Sequence, residues 1–323
     1  MNISIDPEWL LRMAKKEDNQ ILSVGGLVSR IGMNTDAEPL PTKEVIDWSH
    51  KFPLHAMRKL NFSLPDGVTD IDTLLEFFGE SSFELWRSKW ESTAFALRQT
   101  SDFSTSWEPI AAWLREAEII ANDIRLAEFS EEILRSSLDA LRRLTREPVD
   151  VALDKAQQIC ALSGVALVIV QELPSTRLYG CAHWLSETHA LVGLTNRYKK
   201  DDQLWFTFFH EIGHILMHRG ELPLIVDNAS KYMGDDNIDK EMVHYEEEAD
   251  QFASSTLIPA TSLVEFLLSI DIPPTNDEIH AFADSIGVGP GIVVGRLQHD
   301  GILEWHQGNA LKQTIELEFK SED

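Results

Sequence analysis

Residues 201–218 read Asp-Asp-Gln-Leu-Trp-Phe-Thr-Phe-Phe-His-Glu-Ile-Gly-His-Ile-Leu-Met-His. The two acids at the start face the positive end of a helix dipole, and apolar residues cover most of the circumference. The pattern predicts a buried helix beginning near Asp201. Inside that apolar surround sit His210, Glu211 and His214, a polar cluster that is costly to bury unless something compensates it. His210 and His214 are four residues apart, so they share one face, about 6 Å apart along the axis. Both imidazoles can therefore reach one metal ion at about 2.1 Å. Glu211 projects to the side of that stripe.

This is the H-E-x-x-H signature of zinc peptidases, in which Zn2+ lowers the pKa of its water towards about 7 and the glutamate acts as general base. The competing reading is two satisfied core histidines beside a buried glutamate. A catalytic zinc site also needs a third protein ligand. His218 continues the stripe, but it lies about 12 Å of helix rise from His210, too far to share one ion. It reads as a residue behind the ligands, facing substrate, or flanking the core. A second helix, Met242–Ala253, offers Glu246, which shares a stripe with Ala249, Asp250 and Ala253. The two alanines allow close packing of the helices. Asp250, one turn after Glu246, is placed to accept the free N–H of a metal-bound imidazole. Glu247 and Glu248 read as solvent-facing. Tyr179, His183, His189, His218, His244 and Tyr245 are candidates for substrate or transition-state contacts, with Tyr179, His183 and His218 the three retained.

Outward from the helix, Val165–Val170 is a β-branched run, and Arg177–Trp184 and His189–Leu194 are two more extended runs. Either of the last two is a candidate edge for pairing with an extended substrate. Upstream, Arg146-Glu147-Pro148 marks a boundary, because proline disfavours helix at and before itself. The chain before it reads as helices, with apolar stripes at Trp9–Met13, Ile46 and Trp48, Leu74–Phe78, Leu85–Leu97, Trp107–Leu126 and Leu134–Leu144. A glycine- and proline-containing linker lies between Gly25 and Pro41. Trp86, Trp90, Trp107 and Trp113 read as ordinary core. The expected architecture is α+β and predominantly helical. Residues 1–148 form a helical partner-recognition or sensing domain, and 149–323 a zinc-peptidase domain with a small sheet and C-terminal helices.

The 323 residues include 28 Lys plus Arg against 53 Asp plus Glu, a formal net charge of −25. A field of that sign repels phosphate backbones and anionic lipid, so direct nucleic-acid or membrane binding is disfavoured. Arg142, Arg143 and Arg146 are the nearest approach to a basic patch and read as a solvated helix face. The two cysteines, Cys160 and Cys181, are too few for a disulfide framework and read as buried thiols in a reducing compartment. No signal-peptide pattern opens the sequence and no apolar run approaches the roughly 20 residues of a membrane span. The expected location is cytoplasmic.

Two stretches carry a resemblance to a known family. Arg197–Ile215, centred on His-Glu-Ile-Gly-His, resembles the active-site helix of the ImmA/IrrE-type zinc metallo-endopeptidases. Glu246-Glu-Glu-Ala-Asp-Gln-Phe-Ala, running on to Pro259, resembles their third-ligand helix and places that ligand on Glu246, a gluzincin-like set. Residues 279–300 resemble the C-terminal helices of the same proteins. Many relatives are antitoxin-like regulators with a helix-turn-helix of the XRE type ahead of the peptidase, and Trp48–Trp90 resembles their linker region. The short stretch before Trp48 lacks the five-helix pattern of that reader domain. His183 also stands where similar sequences have arginine. The resemblance implies a stress-linked or toxin–antitoxin regulatory protease that cuts a helix-turn-helix transcriptional repressor or antitoxin. The alternative is a non-catalytic antitoxin-like protein that binds such a partner and keeps zinc for structure.

Overall fold

The computed structural model describes residues 41–90, 107–197, 199–220, 224–228 and 240–316. The helix expected at Trp9–Met13, the linker between Gly25 and Pro41 and the helical stripe beyond Trp90 fall wholly or mostly outside them. The chain divides into two units, Met1–Ile46 and Asp47–Asp323, and the site lies in the second.

Helix α1 spans Lys43–Ser49, α2 Leu54–Lys59 and α3 Asp70–Phe78; α4 is Glu108–Asn122, α5 Glu131–Arg143 and α6 Val149–Leu162. A 3-10 turn at Leu144–Arg146 and Pro148 as the N-cap of α6 make the break that Pro148 dictates. Helix α3 shows how local chemistry fixes an end. The Thr69 hydroxyl accepts from the Asp72 N–H while the Asp72 carboxylate accepts from the Thr69 N–H, a reciprocal cap. The tryptophans between α1 and α4 are core, as their spacing suggested. Trp86 stacks on Trp107 at 5.4 Å and meets Trp48 at 4.8 Å, and Trp90 stands edge-on to Phe78.

Strands β1 (Val165–Val170), β2 (Leu178–Ser186), β3 (His189–Thr195) and β4 (Leu224–Asn228) form one sheet in the order β1-β3-β2-β4. β1 runs parallel to β3, while β2 is antiparallel to both neighbours. Both strands expected to offer an edge, β2 and β3, are therefore internal. The tight Ser186–His189 turn folds β3 back into the space between β2 and β1, and β4 covers the far side of β2. Sequence reasoning missed β4, although Leu224-Ile225-Val226 carries the β-branched signal.

Strand alternation divides the sheet's two faces. Val165, Leu167, Ala182, Ala190, Val192 and Leu194 join the main core with α6 and with α7, Asp201–Met217. The opposite face receives α4: a Cβ built on Gly193 would stand 2.8 Å from the Cys181 Sγ and 3.0 Å from the Trp113 ring. Helices α8 (Lys240–Leu257), α9 (Ala260–Leu268), α10 (Asn276–Ile286) and α11 (Pro290–His299) complete the order. α8 and α11 pack on α7. The fold is helical α+β with a small mixed sheet, as the sequence led one to expect, and its longest buried helix is the one read first.

Candidate metal centre

Helix α7 is buried along nearly all its length, with His210 at 1%, Glu211 at 0% and His214 at 2% exposure. Leu204, Trp205, Phe208, Phe209 and Ile212 fill the main core and fix its rotation. That rotation aims His210 and His214 at α8. α8 can come close because Gly213 faces Ala249: a Cβ on Gly213 would stand 3.4 Å from the Ala249 Cα and 3.0 Å from the Phe252 ring. This contact delivers Glu246 to the two histidines.

His210 Nε2 lies 2.9 Å from His214 Nε2, and Glu246 Oε2 is 3.2 Å from the former while Oε1 is 3.7 Å from the latter. The donor atoms of His210, His214 and Glu246 all fall within 4.8 Å of one another, and all three residues are buried. Asp250 Oδ1 stands 2.8 Å from His210 Nδ1, the contact expected for Asp250. Burial works against a charged His210. Asp250, Glu246 and the Glu211 charge outweigh it and push that imidazole up to about 10. On His214 burial prevails, with His210 and His218 adding to it against the pull of Glu246, and the ring falls to about 4. The carboxylates Glu246 and Asp250 stand against the His210 ring and the Glu211 charge lies near it, so the pair of imidazoles sits in a strongly negative setting. Two imidazoles and a carboxylate converging in a buried site fit a zinc-type ion.

Glu211 sits on the sheet. A Cβ at Gly180 of β2 would stand 2.7 Å from Glu211 Oε1 and 2.9 Å from Thr207 Cγ2, so the carboxylate occupies the space left by the missing side chain. Nothing at the sequence level singled out Gly180, although a glycine inside a strand is itself a sign of close approach.

His218 is 2% exposed, with Nδ1 at 2.9 Å from His214 Nδ1, and its ring packs 4.6 Å from that of Tyr245. It stands behind the ligand pair. Glu248, read as solvent-facing, instead turns a carboxylate oxygen to His218 Nε2 at 3.1 Å, because α7 ends beside it. Tyr179 lies under the Arg197 guanidinium and lines a cavity of about 380 Å³ with Phe206, Thr207, Asp250, Leu257 and Trp305. A register shift between Leu178 and Gly180 interrupts the β2–β4 pairing at this residue. His183 goes elsewhere: its Nε2 is 3.4 Å from Glu118 of α4, on the other face of the sheet. Burial raises Glu118, but His183 and Arg115 more than offset it and hold the carboxyl below its usual range. His189 lies at the Ser186–His189 turn against Ser186 and Thr188. His244 is exposed and stands 3.5 Å from Glu248.

A buried cluster of two histidines from the H-E-x-x-H helix and a glutamate from α8, beside a small sheet, is a metallopeptidase-like arrangement. Residues 183–297 match the model of the peptidase M78 family, described as an IrrE N-terminal-like domain. The match supports the ImmA/IrrE-type peptidase family for that stretch, which takes in α7, α8 and the helices after them. No curated protein matches the chain at a significant level. Among the described residues, no helix is long and apolar enough to cross a membrane.

Proposed function

We propose that the protein is a zinc-dependent endopeptidase of the cytoplasm that cuts a specific intracellular protein, a helix-turn-helix repressor or antitoxin. One observation carries the reading: His210, His214 and Glu246 converge within 4.8 Å, and Glu211 is seated on Gly180 next to them. Zn2+ held by those three residues supplies Lewis-acid activation of water and of the scissile carbonyl. Glu211 takes the proton of the attacking water and returns it to the leaving amine. Asp250 holds the His210 ring through Nδ1.

The cavity beside Asp250, with Phe206, Leu257, Ile258 and Trp305 in its lining, takes an apolar side chain of the substrate. β4, at the sheet edge and directly after α7, suits pairing with an extended segment. The charge of −25 favours a basic protein, as DNA-binding repressors are, over DNA itself. The buried free thiols Cys160 and Cys181 suit a reducing compartment. The helices up to residue 148 recognise the partner or sense a signal.

The test begins with metal content: about one zinc per chain in the purified protein, abolished by His210→Ala. Co-expression with candidate repressors then follows, read by mass spectrometry of the fragments. Wild type cleaves, and Glu211→Gln keeps zinc but does not. Equal function of Glu211→Gln with the repressor bound and intact establishes the non-catalytic reading instead.

A further inference from the structure

We infer that His218 and Glu248 form a positioning relay for His214, the counterpart of Asp250 behind His210; this rests on the metal-centre reading above. His214 points Nε2 at His210 and Glu246 and turns Nδ1 to His218 Nδ1, 2.9 Å away. An imidazole that presents its Nε2 lone pair to a metal must carry its hydrogen on Nδ1. That N–H donates to His218 only if His218 Nδ1 is bare, which requires the hydrogen of His218 to sit on Nε2. Glu248 Oε2, 3.1 Å from His218 Nε2, enforces this, because a carboxylate accepts and cannot donate. Without Glu248 the other tautomer of His218 becomes accessible, and two N–H groups would face each other between His218 and His214.

The surroundings support the relay. His218 is 2% exposed and its ring is held against Tyr245, so it cannot turn away without breaking that packing. Glu248 spans two elements and is also approached by His244 at 3.5 Å. The two ligand histidines are therefore oriented by different means: a carboxylate directly on His210, and an imidazole backed by a carboxylate on His214. α8 supplies both carboxylates as well as Glu246, so the geometry of α7 against α8 sets the metal ligand and both supports together.

The experiment is zinc affinity of the full chain, measured by competition with a chromophoric chelator, alongside thermal melting of the metal-free protein. Glu248→Ala and His218→Phe each weaken zinc by about 10- to 100-fold, the usual loss for such outer partners. Together they cost no more than the larger single effect, since they break one chain of contacts. Glu248→Gln, which keeps an acceptor oxygen, restores affinity to within a few-fold of wild type. Glu248 is half-exposed, so its alanine variant remains informative if His218→Phe does not fold. Wild-type affinity in Glu248→Ala overturns the relay. Absence of zinc from the wild type itself, with no difference from His210→Ala, overturns the metal centre on which the relay rests.

Discussion

Glu211 and Gly180 are complementary across the helix–sheet interface: a Cβ at position 180 would stand 2.7 Å from Glu211 Oε1. The same Cβ would also meet Thr207 Cγ2, one turn earlier on the same helix, at 2.9 Å and the Gly193 carbonyl oxygen at 3.0 Å, so the space is closed on every side but that of the carboxylate. Gly180→Ala is therefore expected to push Glu211 off its position while leaving His210, His214 and Glu246 in place. Zinc content should stay near wild type, proteolysis should fall by at least about 100-fold, the scale of a lost general base, and stability should drop by about 1–3 kcal/mol from overpacking. Elemental analysis, a cleavage assay and a denaturant melt on one preparation check all three.

Gly213→Ala probes the other interface. Its Cβ would meet Phe252 at 3.0 Å and Ala249 at 3.4 Å, so α8 must shift by a few tenths of an ångström or Phe252 must turn. Since Glu246 travels with α8, metal affinity should fall together with stability, in contrast to Gly180→Ala. Chelator competition on the two variants separates the interfaces. Zinc retained at full affinity by Gly213→Ala would show that α8 does not set the Glu246 position.

Metal binding and folding are coupled. Glu246 meets His210 and His214 only when α8 packs on α7, and a ligand that binds only the folded state stabilises it by RT ln(1 + [L]/Kd), about 2.7 kcal/mol at a hundredfold excess over Kd. Stripping zinc with a chelator should lower the melting temperature and readdition should restore it, whereas His210→Ala should melt at one temperature with or without zinc. Differential scanning calorimetry reads this directly.

Much of this was visible in the sequence, for physical reasons that differ by element. The α7 helix and its two histidines follow from apolar wrapping and a four-residue spacing, both local. Glu246 and Asp250 could be chosen because small residues at 249 and 253 mark the close-packing stripe. Glu248 could not be placed, since its partner His218 lies 30 residues away and the meeting depends on where α7 stops. The placement of His183 beside Glu118 was not legible, because alternation along β2 is interrupted at Tyr179 and sequence alone does not say which face meets α7. The strand order was hidden for a similar reason: a hairpin reveals that β2 and β3 pair, not that β1 and β4 flank them.

Asp201 supplies a pH-dependent prediction outside the site. It opens α7 at 1% exposure, against Gly291 of α11, and accepts the Gln313 N–H at 2.9 Å. Burial and the neighbouring Asp202 charge raise its carboxyl to about 6, more than offsetting the stabilising backbone N–H contacts. A raised folded-state pKa means that the native protein binds the proton more tightly than the unfolded chain. Stability from this group is full below the unfolded value near 3.8 and is lost as pH climbs to about 6. At about 1.4 kcal/mol per unit, the ionised form costs about 3 kcal/mol at neutral pH. Asp201→Asn keeps an acceptor for Gln313 and removes the charge. Urea melts at intervals from pH 4 to pH 7 should therefore show the variant gaining on wild type as pH rises, with the difference levelling off above about pH 6. A constant difference across that range would mean that the carboxyl of Asp201 does not titrate between those values in the folded protein.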